Sequence, residues 1–297
     1  MFRFSFHRRR SASLVTRYSL LVGGRQGLDQ ALDLLARPDI RTVPLAGGDT
    51  LVGAADPAVN AVVDLQDLGL DVISVASDAA AIHIGALVTR SALAEAAPVR
   101  ACYSGVIAEA AQRWGGSVQR NRATVGGAVA TAAGDDPLIA ALLVCDAMVV
   151  LYDRTGFHEL PLVDYLADRA ELLAAPALIT ELVAPAPAAG TGAALATVAR
   201  TPADAPIVLA AAALTTARGA CVAARLALGG VAERPVRLPA VEAWLVNRDL
   251  TEETLLAAGA MAADLVNPTG DFRGSAEYRR AMAGVLAARA LRQALAN

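Results

Sequence analysis

Ala46-Gly47-Gly48-Asp49-Thr50 directly follows the apolar run 42–45, so a glycine pair stands at the end of a predicted strand. A second stretch of this kind, Thr124-Val125-Gly126-Gly127, lies further along the chain. Each combines two glycines with a threonine hydroxyl, and glycine lets an anion approach backbone N–H groups where a Cβ would intrude. Either stretch alone would equally mark the end of a strand. Together the two loops predict a cradle for a dinucleotide diphosphate.

Length and composition limit the classes of function. A chain of 297 residues suits two domains, or one domain with distinct lobes. Its hydrophobic fraction of 55% with 19% charged residues indicates a large buried core and excludes a disordered chain. A net charge of −3 and 4% aromatic residues give little to bind a polyanion or to stack bases, which argues against nucleic acid. The ligand is therefore expected to be a small molecule or a protein.

The cysteines and the termini bear on metal sites and location. Cys102, Cys145 and Cys221 lie far apart without C-x-x-C spacing, so they cannot build an iron–sulfur or zinc site by themselves. No stretch reaches the roughly 20 apolar residues of a membrane span, which predicts a cytoplasmic protein. Residues 1–22, with arginines at 8–10, are interpreted as a basic, disordered extension, because the apolar run at 20–22 is too short for a signal peptide.

Periodicity predicts alternating helices and strands up to the second loop. The predicted elements are a helix over 28–35, strands at 42–45, 61–65, 72–75 and 81–84, a helix beginning at its N-cap Thr89, and a helix over 105–114. The Gly-x-Gly-x-x-Gly pattern is absent, which excludes a Rossmann dinucleotide fold. Arg120 and Arg122 precede the second loop and either approach phosphate or lie solvated on the surface.

A helix follows the second loop. Asp136 before Pro137 is typical of a helix N-terminus, and its carboxylate could also accept a hydrogen bond from a ribose hydroxyl; Asp135 is the alternative acidic residue. The remaining predicted elements are a strand at 147–152, a helix over 162–175, a connection over 184–192, strands at 206–215 and 220–228, and helices over 239–246, 251–265 and 276–296. The strands after 193 predict an α+β lobe with helices on one face.

Several segments, in order, resemble the FAD-binding medium subunit of molybdenum hydroxylases of the xanthine dehydrogenase and carbon monoxide dehydrogenase type. In the first lobe they are Ala46-Gly47-Gly48-Asp49-Thr50-Leu51, Ile84-Gly85-Ala86-Leu87-Val88-Thr89, Asn121-Arg122-Ala123-Thr124-Val125-Gly126-Gly127 and Asp146-Ala147. In the second lobe they are Leu228-Gly229-Gly230-Val231-Ala232, Asp271-Phe272-Arg273 and Glu277-Tyr278-Arg279-Arg280. The resemblance covers residues 27–297.

The resemblance implies an α+β fold with a two-lobed FAD-binding domain of the PCMH type over 23–185, subdivided into 23–60 and 61–185, and a small α+β C-terminal domain with an antiparallel sheet over 193–297. It implies noncovalent FAD, since the loop has no histidine for attachment. The predicted cofactor-binding residues are Ala46, Gly47, Gly48, Asp49, Thr50, Leu51, Thr124, Val125, Gly126, Gly127, Ala128 and Asp136.

The family also implies partners. A small subunit would hold [2Fe–2S] clusters and a large subunit the molybdenum cofactor, in a dimer of heterotrimers, with this chain as the flavin station of the electron relay. Three departures from the family pattern, Asp49 beside the phosphates, Ala128 in place of an asparagine and the absence of a lysine before Arg200, imply a weaker flavin site or the loss of FAD. One alternative is therefore a flavin-free assembly subunit of the same fold, and a separate alternative is a stand-alone flavin oxidoreductase. Arg273, Arg279 and Arg280 either anchor a partner or form a solvated helix start.

Overall fold

The computed structural model describes residues 15–19, 23–201 and 203–297. The predicted arginine run at 8–10 and the apolar run at 20–22 lie outside these residues. The described residues form three sheets and their covering helices. The fold is mixed α and β, as the sequence predicts.

The first sheet has three parallel strands in the order β1-β3-β2. These strands are β1 (Thr16–Ser19), β2 (Thr42–Leu45) and β3 (Ala61–Asp64). Helix α1 (Gly24–Leu35) covers one face, because Leu28, Ala31 and Leu32 recur at helical spacing and pack with Val63 of β3. The short helix α2 (Asp49–Ala54) begins directly after the first glycine pair.

The second sheet has five antiparallel strands in the order β4-β5-β8-β6-β7. Their bounds are β4 (Ile73–Val75), β5 (Ala81–Gly85), β6 (Met148–Asp153), β7 (Gly156–Pro161) and β8 (Leu178–Pro185). The helices between and around these strands are α3 (Arg90–Glu95), α4 (Ala97–Ala101), α5 (Val106–Gln112), α6 (Ser117–Arg120), α7 (Val125–Thr131), α8 (Pro137–Val144) and α9 (Leu162–Leu172). Helix α7 begins at the second glycine loop, and Thr124 is its N-cap.

The third sheet is antiparallel, with four strands in the order β12-β11-β10-β9. Its strands are β9 (Thr191–Val198), β10 (Val208–Ala217), β11 (Ala220–Gly229) and β12 (Val236–Arg237). The helices α10 (Pro239–Leu245), α11 (Glu252–Asp264) and α12 (Ala276–Ala296) cover one face, as expected. The other face packs against the first lobe, where Leu209 and Ala211 share a core with Leu138 and Ile139 of α8.

The structure adds strands that sequence patterns did not predict. β7, β8 and β9 were missed, and β9 shows why: its sequence is rich in alanine, a residue depleted in strands, and burial on both faces removes the polar alternation. β1 lies within 1–22, the segment interpreted as a disordered extension, and pairs with β3. The subdomain boundary placed between 60 and 61 separates β2 from β3, which are neighbours in one sheet.

Two of the three arginines considered near the start of α12 form ion pairs within the chain, whereas Arg280 is exposed and donates to Asn267 Oδ1 at 2.9 Å. Arg279 is buried, donates to the carbonyl oxygens of Ile207 (2.7 Å) and Gly230 (2.8 Å), and pairs with Asp271. Arg273 pairs with Asp271 and, at 2.7 Å, with Asp135 of the first lobe. The solvated helix start was therefore wrong for these two residues, which tie α12 to its own sheet and to the first lobe.

Candidate cofactor site

The two glycine loops meet at one cavity of about 170 Å³, called here the central cavity. Their contact is direct, since Arg122 Nε, just before the second loop, lies 3.4 Å from the Gly47 carbonyl oxygen. Besides the loops, Arg90, Trp114 and Thr131 contribute to the wall. The predicted residues that line it are Ala46, Gly47, Gly48, Asp49, Thr50, Leu51, Thr124, Gly127, Ala128 and Asp136. The predicted convergence of the loops is confirmed.

Two of the predicted residues lie elsewhere. Gly126 lines a neighbouring apolar cavity, and Val125 is fully buried and lines none of the cavities around the loops. Val125 belongs to the apolar core beneath α7. Its contribution is therefore to hold the loop in place.

Close packing of the chain, more than access for a ligand, explains two of the glycines. A Cβ on Gly47 would lie 1.5 Å from the Arg122 carbonyl oxygen, and a Cβ on Gly126 would lie 2.7 Å from the Ala86 Cβ. Both separations are shorter than any real contact, so any side chain at either position would force the backbone segments apart. Gly48, in contrast, has φ +72°, a left-handed conformation that glycine adopts without strain.

The first loop offers unpaired backbone donors. None of the N–H groups from Gly47 to Leu51 donates to another group among the described residues, and the first N–H that does so in α2 is that of Val52, to the Gly48 carbonyl. These donors lie at the cavity wall. N–H groups in the first turn of a helix bind anions because helical geometry gives them no internal acceptor.

The second loop differs, because its N–H groups are used within the protein. Val125 and Gly126 donate to the carbonyl oxygens of Val88 and Ala86 at 2.9 and 2.8 Å, and Gly127 donates to the Thr124 hydroxyl at 3.1 Å. The Thr124 hydroxyl accepts that bond and keeps its own proton for a ligand. The expectation that both loops present free backbone donors therefore holds for the first loop only.

Two further cavities adjoin the loops. The apolar cavity, about 550 Å³, lies between β2, the start of α7 and residues 173–179, and shares Pro44 and Gly127 with the central cavity. The polar cavity, about 810 Å³, shares Gly48 and Thr124 with the central cavity and includes Arg122. A ligand with a diphosphate centre and bulky groups at both ends would fit such a chain of cavities, of which the two outer ones each fall within the range of about 300–1,000 Å³ that is typical of ligand sites.

A buried ion pair forms one wall of the central cavity. Arg90, the first residue of α3, is 1% exposed and pairs through Nη2 with Asp136, which is equally buried. Asp136 also accepts a hydrogen bond from the Leu138 N–H at 2.9 Å, which confirms it as the N-cap of α8. Both carboxylate oxygens of Asp136 are thus engaged, so a ribose hydroxyl would have to share them.

The indole of Trp114 lies over this pair, with the Arg90 Cζ 4.3 Å from its centroid. Arg90 Nε and Nη1 and Trp114 Nε1 are buried and have no hydrogen-bond partner among the described residues. Leaving a buried donor unsatisfied costs about 1–3 kcal/mol. All three donors belong to residues that line the central cavity beside the glycine loops.

Sequence reasoning missed Arg90 and Trp114. One signal was available for Arg90: a cation in the first turn of a helix opposes the helix dipole, so an arginine next to the N-cap Thr89 has a reason other than helix stability. Trp114 carried no signal, since a lone aromatic residue before a glycine pair is typical of any loop. Tyr103 and Tyr152 are buried and line none of the three cavities, so neither is placed to stack on a flavin ring held there.

The three other candidates from the sequence, Arg120, Arg122 and Asp135, have different positions relative to the cavities. Arg122 lines the polar cavity and is exposed, so it can approach a phosphate. Arg120 instead donates to the Gly115 carbonyl oxygen at 2.6 Å and closes its own turn. Asp135 faces the second lobe, where it pairs with Arg273.

Comparison with known families agrees with this site. Residues 25–187 match the family of the FAD binding domain in molybdopterin dehydrogenase, and residues 193–294 match the CO dehydrogenase flavoprotein C-terminal domain. The chain belongs to this family. It is an FAD-binding, medium-type subunit of the molybdenum hydroxylase class of oxidoreductases, and its cofactor is FAD.

Relatives of this flavoprotein subunit match over nearly their whole lengths. The carbon monoxide dehydrogenase medium chain of Afipia carboxidovorans is 31% identical over 92% of this chain and 95% of its own. The nicotine 6-hydroxylase medium subunit of Paenarthrobacter nicotinovorans is 29% identical over 90% and 94% of the two chains. Among solved structures, carbon monoxide dehydrogenase from Hydrogenophaga pseudoflava superposes with a TM-score of 0.85 at 27% identity, covering 95% of this chain and 97% of the other.

Within residues 15–19, 23–201 and 203–297, no three histidine, cysteine, aspartate or glutamate side chains are grouped to hold a metal ion. In the same ranges, no helix has the length and apolar character needed to cross a bilayer.

Proposed function

We propose that this chain holds FAD noncovalently with the diphosphate against the first turn of α2. The observation that carries the proposal is the run of unpaired N–H donors from Gly47 to Leu51, facing the second loop across one cavity. The residues proposed to contact the cofactor are Ala46, Gly47, Gly48, Asp49, Thr50, Leu51, Thr124, Gly126, Gly127, Ala128 and Asp136, with Val125 supporting the loop. Oriented N–H groups are suited to two phosphates in a chain that has no lysine.

The neighbouring cavities suit the rest of the cofactor. The apolar cavity is lined by aliphatic side chains such as Leu35, Val43 and Leu87, and Leu178 closes one side. Such a lining excludes water and packs against a flat ring system, which fits one of the two ring systems of FAD. Thr131 also lines the central cavity, and its hydroxyl is proposed to bind a polar edge of the cofactor.

In the assembled enzyme this chain would be the flavin station of an electron relay. Bound FAD supplies the redox chemistry, and the protein binds it, orients it and shields it from water. The resemblance to medium subunits supports partners that carry [2Fe–2S] clusters in a small subunit and the molybdenum cofactor in a large one, assembled as a dimer of heterotrimers. Electrons would arrive from the clusters and leave to an external acceptor.

A cytoplasmic location is also proposed. Cys102, Cys145 and Cys221 are free thiols in the interior. Burial raises the pKa of each thiol, and this keeps the sulfur protonated and unreactive. Unpaired cysteines suit a reducing compartment.

Purification of the full chain tests the proposal. We expect a yellow protein with a flavin absorbance band in the blue, and release of FAD into the supernatant after acid precipitation, because attachment is noncovalent. A colourless protein that takes up no added FAD would support the flavin-free assembly subunit instead. Turnover of an organic substrate by the isolated chain would support a stand-alone oxidoreductase.

A further inference from the structure

Arg90 is a buried cation in the wall of the central cavity, and the close packing of the two glycine loops does not account for its presence there. Arg90 is almost fully buried, and burying a guanidinium costs free energy unless its donors are used. Only Nη2 has a partner, the carboxylate of Asp136, while Nε and Nη1 have none. Arg279, which is also buried, leaves only Nε without a partner, because Nη1 donates to the carbonyl oxygens of Ile207 and Gly230 and Nη2 pairs with Asp271.

The backbone around Arg90 places it against the second loop. The Arg90 N–H donates to the Ala123 carbonyl oxygen at 2.9 Å, and Thr89 and Thr124 form an isolated β-bridge. Its guanidinium is thereby held beside Thr124, whose hydroxyl proton is free for a ligand. The second loop, short of free backbone donors, thus has a side-chain donor set next to it.

We propose that Arg90 binds the diphosphate of the cofactor, with Trp114 as the movable cover of this site. Nε and Nη1 of Arg90 would donate to phosphate oxygens opposite the first-loop N–H groups, and Trp114 Nε1 adds a third donor. The indole stacks on the guanidinium and buries these nitrogen atoms, so a phosphate oxygen reaches them only after the indole shifts. Asp136 is a positioning residue that fixes the orientation of the fork.

This inference rests on the proposed FAD site, and the ligand ADP separates the two. ADP carries the diphosphate without the isoalloxazine ring, and riboflavin carries the ring without phosphate. Two variants of the full chain are compared: Asp136→Asn, which keeps a side-chain oxygen for the cap of α8 and retains the Arg90 cation without its positioning carboxylate, and the double variant Arg90→Gln with Asp136→Asn, which removes both charges of the pair. Thermal unfolding of both checks that they are folded.

We expect ADP, measured by calorimetry, to bind the double variant about tenfold to hundredfold more weakly than it binds Asp136→Asn, as loss of a charge-assisted hydrogen bond implies. Riboflavin should bind both variants equally. Equal ADP affinities would overturn the inference, and so would a loss confined to riboflavin, which would place Arg90 at the ring. Wild-type protein that binds neither ADP nor FAD would overturn the proposed function itself, and this inference with it.

Fluorescence provides a second test that needs no change at Arg90. The chain has two tryptophans, and the other, Trp244, stacks on Arg248 in the second lobe. In Trp244→Phe all indole emission comes from Trp114, so ADP, which does not absorb in the emission range, should shift and alter that emission. Control samples of Trp244→Phe without ADP should show no such change in emission. Unchanged emission at saturating ADP would show that the indole stays in place and would overturn its role as a cover.

Discussion

Asp49 is the one acidic side chain within the first glycine loop, and it lines the central cavity beside the unpaired N–H groups. A carboxylate about 4 Å from a phosphate is repelled by about 1 kcal/mol in water and by more where solvent is partly excluded. The N–H of Asp49 therefore favours an anion while its side chain opposes one. This balance makes Asp49 a residue that tunes cofactor affinity.

Asp49→Asn should tighten FAD binding about fivefold, because the repulsion is removed while the backbone donor stays. Titration of the flavin-free protein with FAD at low and high salt measures the effect, which should shrink as salt screens the charge. The matched control is Asp78→Asn in the β4–β5 turn, which keeps its bond to the Ala80 N–H. Weaker binding by Asp49→Asn would show that this carboxylate holds the loop and does not repel the ligand.

At the scale of elements, α2 owes its position to the close contact of the first loop with the segment before the second loop. Gly47 lies against the Arg122 backbone, where no Cβ fits, whereas Gly53 within α2 has no heavy atom within 4 Å of its Cβ position. A side chain is therefore excluded at Gly47 by steric contact, whereas Gly53 has room for one. One joins the loops, and the other only weakens the helix.

Gly47→Ala should separate the two loops and weaken FAD binding about tenfold or more, since misplaced donors lose hydrogen bonds worth about 1 kcal/mol each. Gly53→Ala is the matched control and should stabilise the protein by about 0.5–1 kcal/mol with unchanged affinity. Denaturant unfolding and FAD titration of both variants give the measurement. Full FAD affinity in Gly47→Ala would contradict the requirement for contact between the loops.

At the scale of the whole molecule, the two lobes share one core. Every residue of α8 is buried, and such a helix needs partners on all sides. The first lobe, which contains the five-stranded sheet, covers one side of α8. Leu209, Ala211 and Ala213 of β10 in the second lobe cover the other side. Asp146, which follows α8 in the chain, pairs with Arg225 of β11 and with Arg237 of β12 (2.8 Å) and so adds a charged link between the lobes.

A chain ending at residue 190 should consequently lose cooperative unfolding and bind a hydrophobic dye, because α8 becomes exposed. Adding residues 191–297 as a separate chain should restore cooperative unfolding and abolish the binding of the dye. Thermal unfolding and dye fluorescence report the outcome. A shortened chain with the stability of the full protein would show that the lobes have independent cores.

The charge cluster at the start of α12 should make stability depend on pH. The Arg279 hydrogen bond lowers the pKa of Asp271 well below its ordinary value of 3.8. A depressed pKa contributes stability above that ordinary value, and the contribution is lost as the pH falls toward the folded pKa. Asp271→Asn should thus lower the melting temperature near neutral pH, with the difference shrinking below about pH 4. Asp168→Asn, at an exposed site on α9, is the control, and a difference that does not change with pH would contradict the linkage.

Local signals in the sequence determined much of the fold and one half of the site. Thr89, Thr124 and Asp136 are helix caps, whose signature is contained within a few residues, and the apolar periods of α1 and α12 need no distant partner to be recognised. The glycine pairs likewise pointed to loops that meet.

Only the tertiary structure decided which loop has free N–H groups, because the acceptors Ala86 and Val88 come from a distant segment. It alone placed Arg90 under Trp114 and Asp135 against Arg273, since contacts between residues far apart in the chain leave no local pattern. Strand β9 was also decided only by the tertiary structure, because its alanines form a strand through burial between two layers and not through their own preference.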